Sequence, residues 1–238
     1  MGETRAPLSR ERVLEAAVRI ADDAGIAALT MRSLAEELGV KPMSLYHHVR
    51  NKEEILDGIV DVVFAEIDLP DPSGDWREQV RRRAGSARQA LRRHPWALAL
   101  LETRTRPGPE TLRQHDAMLG TFRAAGFSLP ATAHAYAVVD AFVYGFALQE
   151  ASLPFDGSDD VTQVAEPILA EMPLAQYANL AEFAMGHVMQ PGYDFGASFA
   201  VGLELVLDGL ADMVARDGGA RRPGKKGRKK AATEGATR

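Results

Sequence analysis

The residues best suited to chemistry lie together between positions 40 and 52, which read VKPMSLYHHVRNK. This segment carries cationic, hydroxyl, phenol and imidazole groups and holds no acidic residue. Cations can pair with phosphates, while hydroxyl, imidazole and small apolar groups can contact phosphates and base edges in a groove. The composition therefore predicts contact with a nucleic acid. The alternative is an ordinary surface helix, and each of its cations taken singly fits that alternative better.

Helix caps and apolar spacing predict how the chain presents this segment. Thr30 is suited to cap a helix that Gly39 ends, and Pro42 suits the first turn of the next helix, which we expect to reach about His48. Two short helices joined in this way form a helix-turn-helix, whose second helix can lie in a major groove. We expect this motif at about residues 30–49.

Two further helices complete the predicted N-terminal unit. The first is capped by Ser9 and ends at Gly25, and the last begins at Asn51, a residue type that caps helices well. The cluster DLPDPSGD at 68–75 is rich in Pro, Gly and Asp, which favours a linker. We therefore predict a domain boundary there, with a DNA-binding domain at 1–68.

The rest of the chain keeps the three- and four-residue apolar spacing of helices. We expect helices at about 76–93, from 95 to about 103, at 109–125, 130–152, 174–188 and 193–215, with a loop before residue 174. No segment has a convincing strand pattern, so the predicted fold class is all-α. The C-terminal segment 216–238 is basic and of low complexity, which predicts a disordered tail.

Composition and charge limit the partners of the chain. Of the 238 residues, 46% are apolar, which suffices for a sizeable core, and none is cysteine, which excludes disulfides and thiolate sites. The net charge of -5 divides into +1 for residues 1–52, -13 for 53–215 and +7 for 216–238. The middle would repel a polyanion, so only the ends could meet one. The tail would either add nonspecific DNA affinity or aid solubility.

The chain lacks the sequence features of secretion or membrane insertion. The first twelve residues have no apolar core, and no run approaches the ~18 apolar residues that a spanning helix requires. We expect a cytoplasmic protein without a membrane partner.

The run LTMRSLAEELGVKPMSLYHHVRNKEEIL, residues 29–56, closely resembles the DNA-binding segment of the tetracycline-repressor family of bacterial transcriptional regulators. Its distinctive parts are LT.R.LA..LGV, the S-LY-H-V core and the following NK, and the likeness covers about residues 8–68 without gaps. A weaker likeness to the effector domain of the tetracycline-responsive members follows at Trp76, at TRP in 105–107, at AGFSL in 125–129 and at FAVGLELVLDGL near the end.

The resemblance implies which residues contact DNA. They are Thr30, Arg32, Pro42, Met43, Ser44, Tyr46, His48 and Lys52, with Lys41 as a further neighbour. Thr30, Tyr46 and Lys52 would chiefly hold phosphates. The residues that would chiefly read bases are Arg32, Pro42, Met43 and Ser44. The founding member has a glutamine in place of Pro42 and a proline in place of Met43. The operator should therefore differ from a tetracycline operator.

The resemblance also implies a larger helical domain at 76–215, which binds an effector and forms a homodimer through the last long helices. The apolar residues expected at that interface are Phe195, Phe199, Leu203, Val206, Leu210 and Val214, with Val138, Val139, Phe142, Val143 and Phe146 on the helix at 130–152. The alternative is that both stripes are intramolecular core.

Candidate effector contacts are polar groups within apolar helices, and aromatic residues beside them. The set comprises His115, Asp116, His134, Asp140, Tyr144 and His187, with Trp96, Phe122 and Phe183 as walls. For each of them taken singly, a hydrogen-bonded core or surface residue is the alternative, and it fits better than ligand contact. Asp140 is the strongest candidate, because a carboxylate midway along so apolar a helix needs a partner. The histidine that binds magnesium in the tetracycline-responsive members has no counterpart in HPWALALLETRTRP, so magnesium-tetracycline is not the expected effector.

These features together predict a DNA-binding transcriptional regulator, a repressor that binds a palindromic operator as a homodimer and is released by a small organic effector. Effector binding would shift the helix at 52–68 and alter the spacing of the two recognition helices.

We expect no enzymatic activity and no cofactor. His47 and His48 diverge by about 100° on a helix, so they cannot chelate a metal together and no metal site is expected. Two other hypotheses stay open: a helical enzyme acting on a small molecule, and an architectural DNA binder without effector.

Overall fold

The computed structural model describes residues 7–101, 103–104, 106–154 and 161–220, and for residues 162 and 217–220 only the backbone. These residues form helices and contain no strand, which confirms the all-α prediction. The α-helices are α1 Arg10–Ala24, α2 Met31–Leu38, α3 Pro42–Leu45, α4 Lys52–Ala65, α5 Trp76–Arg93, α6 Leu98–Leu101, α7 Pro109–Ala124, α8 Leu129–Ala151, α9 Val161–Glu171, α10 Ala178–Phe183 and α11 Ala197–Ala220. Shorter 3-10 turns lie at Ile26–Ala28, Pro95–Ala97 and Leu174–Gln176.

The predicted caps hold the N-terminal helices in place. The Ser9 side chain caps α1 by accepting a backbone N–H of its first turn. Thr30 and Ser33 cap α2 reciprocally, because each side chain accepts the backbone N–H of the other, at 3.0 and 2.9 Å. Asn51 begins α4 by accepting the N–H of Glu54 at 2.9 Å. These local bonds satisfy donors that a helix start leaves unpaired.

The turn between α2 and α3 has the expected geometry, but α3 is shorter than predicted. Gly39 is left-handed, with φ 64° and ψ 38°, and Pro42 occupies the first turn of α3. The helix ends at Leu45 rather than near His48. The N–H groups of His48 and Val49 both reach the Leu45 carbonyl, at 2.9 and 3.0 Å, so the backbone tightens into turns. Leu45 and Val49 are buried, as the sequence predicts.

Helix α4 belongs to both halves of the structure. On one side it packs against α1, and on the other it packs against α5, α6 and α7. Its buried residues include Ile55, Ile59, Val63 and Phe64, and they occur at helical spacing over almost its whole length. Any change in the position of α4 therefore affects both halves.

Helix α8 is the central element of the second half, where it packs against α5, α7 and α11. By length and composition alone it could also cross a membrane, since its mean hydropathy reaches 1.2 over 18 residues. The core helix of a globular protein passes the same test. The packing of α8 on three neighbours and its charged residue Asp140, which pairs with Arg83, agree with that second explanation.

Much of the dimerisation interface predicted from sequence is buried within the same chain. Phe199, Leu203 and Leu210 of α11 are buried within the same chain, and so are Val139 and Val143 of α8. Helices α8 and α11 pack on each other, and there the Phe199 ring lies against Phe142 and Phe146, with ring centroids 5.4 and 5.1 Å away. The alternative of an intramolecular core was therefore correct for these buried residues. Val138, which was also predicted at the interface, is 47% exposed, and the other exposed large apolar side chains of the two helices are Leu129, Leu148, Val201 and Leu205.

The segment after α8 differs most from the prediction. Helix α9 occupies part of the expected loop, with Val161 and Ala165 buried one turn apart and Pro167 inside the helix. The single helix expected at 174–188 is a 3-10 turn, the short α10 and a π turn at Ala184–Val188. Helix α11 begins at Ala197 because the Asp194 side chain accepts the N–H of Gly196 at 2.7 Å and holds a turn. It extends to Ala220, and the basic tail beyond it lies outside the described residues.

Candidate DNA-binding face and inner cavity

The residues predicted to contact DNA are accessible to solvent. Thr30, Arg32, Lys41, Pro42, Met43 and Tyr46 are exposed, and Ser44, His48 and Lys52 are partly buried. Met43 is 72% exposed and Tyr46 46%, which is unusual for large side chains in a protein that buries its other apolar residues nearby. Leu45 and Val49 anchor the segment from below. The arrangement presents apolar and hydroxyl groups outward from a fixed backbone.

The cations of this face differ in how they are engaged. Arg32 pairs with Glu36 one turn along α2, at 3.0 Å, and both side chains are exposed. Such a pair contributes at most about 1 kcal/mol, so a phosphate or a guanine can replace the glutamate. Arg50 donates both its backbone N–H and its Nε to Glu54, at 2.9 and 3.0 Å, and these bonds lower the pKa of Glu54. Among the described residues, Lys41 has no ion-pair partner.

An inner cavity of about 660 Å³ lies among α4, α6, α7 and α8. Three of the predicted effector contacts line it, namely His115, Asp140 and Tyr144. Much of the remaining wall is apolar or aromatic, with Val60, Phe64, Leu98, Leu101, Tyr136 and Leu148 among its residues. A cavity of this size and lining suits an organic molecule with a few polar groups.

The carboxylate of Asp140 has the partner that the sequence requires. Arg83 of α5 donates Nη1 to Asp140 at 3.1 Å, and its side chain is 1% exposed. Burial lowers the pKa of Arg83, but the charge of Asp140, the neighbouring Tyr144 and Tyr136 and the hydrogen bond to Asp140 together outweigh burial, so that the pKa is raised. The hydroxyl of Tyr136 also hydrogen-bonds to Asp140 and has a raised pKa, because it is buried and lies beside that negative charge. Arg83, Asp140 and Tyr136 thus form a buried polar cluster at the cavity wall.

His115 presents an imidazole to the same cavity. Its ring lies edge-on to Phe64 and to Tyr136, with ring centroids 6.0 and 5.4 Å away. Burial lowers the pKa of His115, which is opposed in part by the charge of Asp140. The imidazole is therefore neutral near pH 7 and offers one donor and one acceptor to a ligand.

Sequence reasoning missed several cavity residues, among them Phe64, Arg104, Thr111 and Tyr136. A signal for Tyr136 was present, because it precedes Asp140 by one helical turn and lies on the same face of α8. No sequence pattern near Phe64 or Thr111 indicates a cavity, because these residues reach it only through the packing of α4 on α7.

The other predicted effector contacts lie outside the inner cavity. Trp96 is buried at the junction of the two halves, where its indole N–H donates to Asp22 at 2.6 Å. Phe122 is fully buried in an aromatic cluster with other rings of the second half. Phe183 and His187 lie on α10 and the turn after it, with ring centroids 5.6 Å apart. Trp96 and Phe122 are thus packed rings, whereas Phe183, at 54%, and His187 are exposed.

Comparison with known proteins gives matches over nearly the whole chain. Residues 13–59 match the profile of the bacterial regulatory proteins of the tetR family, and residues 69–214 match that of the tetracyclin repressor-like C-terminal domain. An HTH-type transcriptional regulator of Saccharopolyspora erythraea is 33% identical over 210 residues, which cover 87% of this chain and 86% of the relative. The HTH-type transcriptional repressor DrrR1 of Streptomyces coeruleorubidus is also 33% identical, over 91% of this chain and 82% of DrrR1.

Solved structures agree with these sequence matches. The TetR family protein ActR of Streptomyces coelicolor, in complex with actinorhodin, superposes with a TM-score of 0.71 at 29% identity. The superposition covers 88% of this chain and 99% of ActR. ActR therefore shares the helical architecture of this chain over almost its whole length.

Proposed function

The chain belongs to the tetracycline-repressor family of bacterial transcriptional regulators, and on that premise we propose that it is a homodimeric repressor whose operator is palindromic. In this proposal a small organic molecule in the inner cavity releases the operator. The observation that carries the proposal is the coexistence of a helix-turn-helix with outward polar groups and a separate cavity with a buried polar cluster. The two features are joined by α4, which packs against both halves.

The proposed division of the chain follows the two features. In it, residues 1–68 are the DNA-binding domain, residues 76–215 the effector-binding and dimerisation domain, and residues 216–238 a basic C-terminal segment whose first five residues continue α11. The proposed DNA contacts are Thr30, Arg32, Lys41, Pro42, Met43, Ser44, Tyr46, His48 and Lys52. Their exposure around a fixed α3 supports this assignment. A regulator that binds chromosomal DNA acts in the cytoplasm.

The proposed effector is a modest-sized organic molecule with at least one hydrogen-bonding group. The cavity volume of about 660 Å³ and the mostly apolar wall support this class. Its polar group would meet Asp140, Tyr144 or the neutral His115. The complex of ActR with actinorhodin shows that a relative of similar fold holds an organic molecule. No group of three His, Asp or Glu side chains within the described residues could hold a metal ion.

A second copy of the chain is the proposed cover for the exposed apolar side chains of α8 and α11. Val201 and Leu205 are 64% and 70% exposed, and Val138 is 47% exposed. A symmetric pair of α8 and α11 helices would bury all three residues. Two such subunits would present two recognition helices to half-sites about one helical turn apart.

The DNA assignment is tested with a duplex selected from random sequences by the wild-type protein. Arg32→Ala and Tyr46→Phe should each weaken binding of that duplex, measured by fluorescence anisotropy, by about 1–3 kcal/mol for the arginine and less for the tyrosine. Arg113→Ala is the matched control, because Arg113 is an exposed arginine on α7. Unchanged affinity in both variants would refute the assigned face.

The effector assignment is tested with a panel of aromatic organic acids and quinones, actinorhodin among them, added to the protein–duplex complex. A compound that releases the duplex should do so less readily from Tyr144→Ala, with operator affinity unchanged. Tyr177→Ala is the control, since Tyr177 is exposed and lies outside the cavity. Equal release from both variants would place the effector elsewhere.

A further inference from the structure

Helix α7 begins without a cap of its own. Its N-cap residue is Gly108, which has no side chain, and Pro109 follows with no N–H to donate. The cap comes instead from Asp61, in the middle of α4. One carboxylate oxygen of Asp61 accepts the backbone N–H of Thr111 at 2.8 Å and its hydroxyl at 3.0 Å, and the other accepts the N–H of Glu110 at 3.3 Å. A negative charge at this position also complements the positive end of the helix dipole.

The glycine at position 108 leaves the space that this cap requires. A Cβ atom on Gly108 would lie 2.3 Å from Cγ of Asp61, far inside van der Waals contact. The φ angle of Gly108 is -79°, which any residue can adopt, so the requirement is one of space alone. The carboxylate and the glycine therefore depend on each other.

A side chain of α7 also caps the C-terminal end of α4. Gln114, one turn beyond the capped residues, donates Nε2 to the carbonyl of Ile67 at 2.6 Å, just past the end of α4. The Gln114 side chain is buried, and a carbonyl at a helix end has no partner within its own helix. Each of the two helices thus satisfies backbone groups at an end of the other.

The Asp61 contact lies between the cavity and the DNA-binding half. Gly108 and Thr111 line the inner cavity, and Gly108 also lines a groove of about 760 Å³ on the other side, where Asp61, Arg10 and Leu14 contribute to the wall. Leu14 belongs to α1, which packs on α4. A displacement of the first turn of α7 by a ligand must therefore either move Asp61 or break its three hydrogen bonds.

We propose that Asp61 is the positioning residue through which the first turn of α7 sets the position of α4, and with it the DNA-binding half. This inference rests on the proposed function. In this proposal the duplex selects the position of α4 that the Asp61 cap holds, and because coupling free energies are reciprocal, duplex binding also strengthens the cap. The cap in turn raises affinity for the duplex by the same factor.

The test uses the selected duplex, the full chain and three variants. Asp61→Ala removes the cap, Asp61→Asn keeps an acceptor oxygen, and Asp75→Ala is the control. Asp75 is the N-cap residue of α5 and accepts the N–H of Glu78 at 3.0 Å. Its replacement also removes a carboxylate that caps a helix, but that carboxylate does not connect two helices. Hydrogen exchange at the amides of Glu110 and Thr111 is measured with and without duplex.

Duplex should slow exchange of these two amides severalfold in the wild-type protein and in Asp75→Ala, and should leave it unchanged in Asp61→Ala. Operator affinity should fall about five- to tenfold in Asp61→Ala relative to Asp75→Ala, within the usual range of coupling between sites. Asp61→Asn should retain part of both effects. Equal affinity of the two alanine variants, or duplex-dependent protection that survives in Asp61→Ala, would overturn the inference while leaving the proposed function intact. Failure of the wild-type protein to select any duplex would overturn both.

Gly108→Ala provides an independent test that keeps the Asp61 carboxylate. The added methyl group should displace Asp61 and reduce operator affinity as Asp61→Ala does. In the double variant the smaller side chain at position 61 leaves room for the methyl group, so its affinity should equal that of Asp61→Ala alone. Additive losses would contradict the shared space on which the inference depends.

Discussion

Trp96 donates its indole N–H to a carboxylate oxygen of Asp22 at 2.6 Å, although 74 residues separate the two in sequence. The same oxygen lies 2.7 Å from Nδ1 of His94, whose Nε2 lies 3.1 Å from Glu66. Asp22 belongs to α1, Glu66 follows α4, and the two rings begin the turn after α5. This cluster is a second link between the halves, and none of its four residues lines the inner cavity.

Trp96→Phe should lower the free energy of unfolding by about 1 kcal/mol more than Trp76→Phe does. Both changes remove part of an indole, but Trp76 packs against Phe122 and Phe127, whereas Trp96 also donates to a carboxylate. Urea unfolding of both variants gives the comparison. The difference should vanish when Asp22→Ala is added to each, and a difference that persists would mean that the hydrogen bond contributes nothing.

The Arg83–Asp140 pair should behave as a unit. Arg83→Met or Asp140→Leu alone leaves a charge buried without its partner, which destabilises a protein by about 3–5 kcal/mol. The double variant replaces the pair with apolar groups and should recover most of that loss. Chemical denaturation of the four proteins completes the cycle. If the two single losses simply added in the double variant, the side chains would not be coupled.

His115 should make stability depend on pH. Its pKa is lowered by burial from 6.5, so on acidification the unfolded chain takes up a proton before the folded chain does. The unfolded state then binds more protons, and stability falls as the pH drops from about 6.5 to the folded pKa, below which the loss is complete. His115→Phe should reduce the dependence of the melting temperature on pH over this window. His134→Gln, at an exposed position of α8, should leave the slope unchanged.

Leu205→Glu should convert the protein to a monomer, because a charge at the centre of the proposed α11 interface would be buried without a partner. Sedimentation velocity measures the state directly. Leu112→Glu is the control, since Leu112 is 54% exposed on α7 and does not belong to the proposed α8–α11 interface. A dimer that survives Leu205→Glu and Val201→Glu together would move the interface to another surface.

The local features of the fold were predictable from sequence because their causes are local. Ser9, Thr30 and Asn51 cap helices through side chains that reach only three residues ahead. Gly39 ends α2 because it can adopt a left-handed conformation. That Asp140 needs a partner was also predictable, since a lone carboxylate is costly on an apolar helix. That this partner is Arg83 was not predictable, because the tertiary packing of α5 on α8 brings the two residues together.

Predictions failed where the cause lies in another part of the chain. Apolar spacing shows that Phe199 and Leu203 share a face, but not whether that face meets α8 of the same chain or a second copy. The same limit applies to Trp96 and Phe122, which are buried rings that pack away from the cavity. Helix α9 escaped prediction because its helical apolar pair lies beside Pro167, which in isolation favours a break.

The shared space of Asp61 and Gly108 has a consequence for how this sequence can vary. A library randomised at position 108 alone should yield almost only glycine among functional clones, whereas one randomised at both positions should also yield clones with a short residue at 61 and a side chain at 108. The second class lacks the cap, so a chain reaches it by first losing the carboxylate at position 61, after which a side chain at 108 no longer changes operator affinity. Two residues that are 47 positions apart therefore vary as one site.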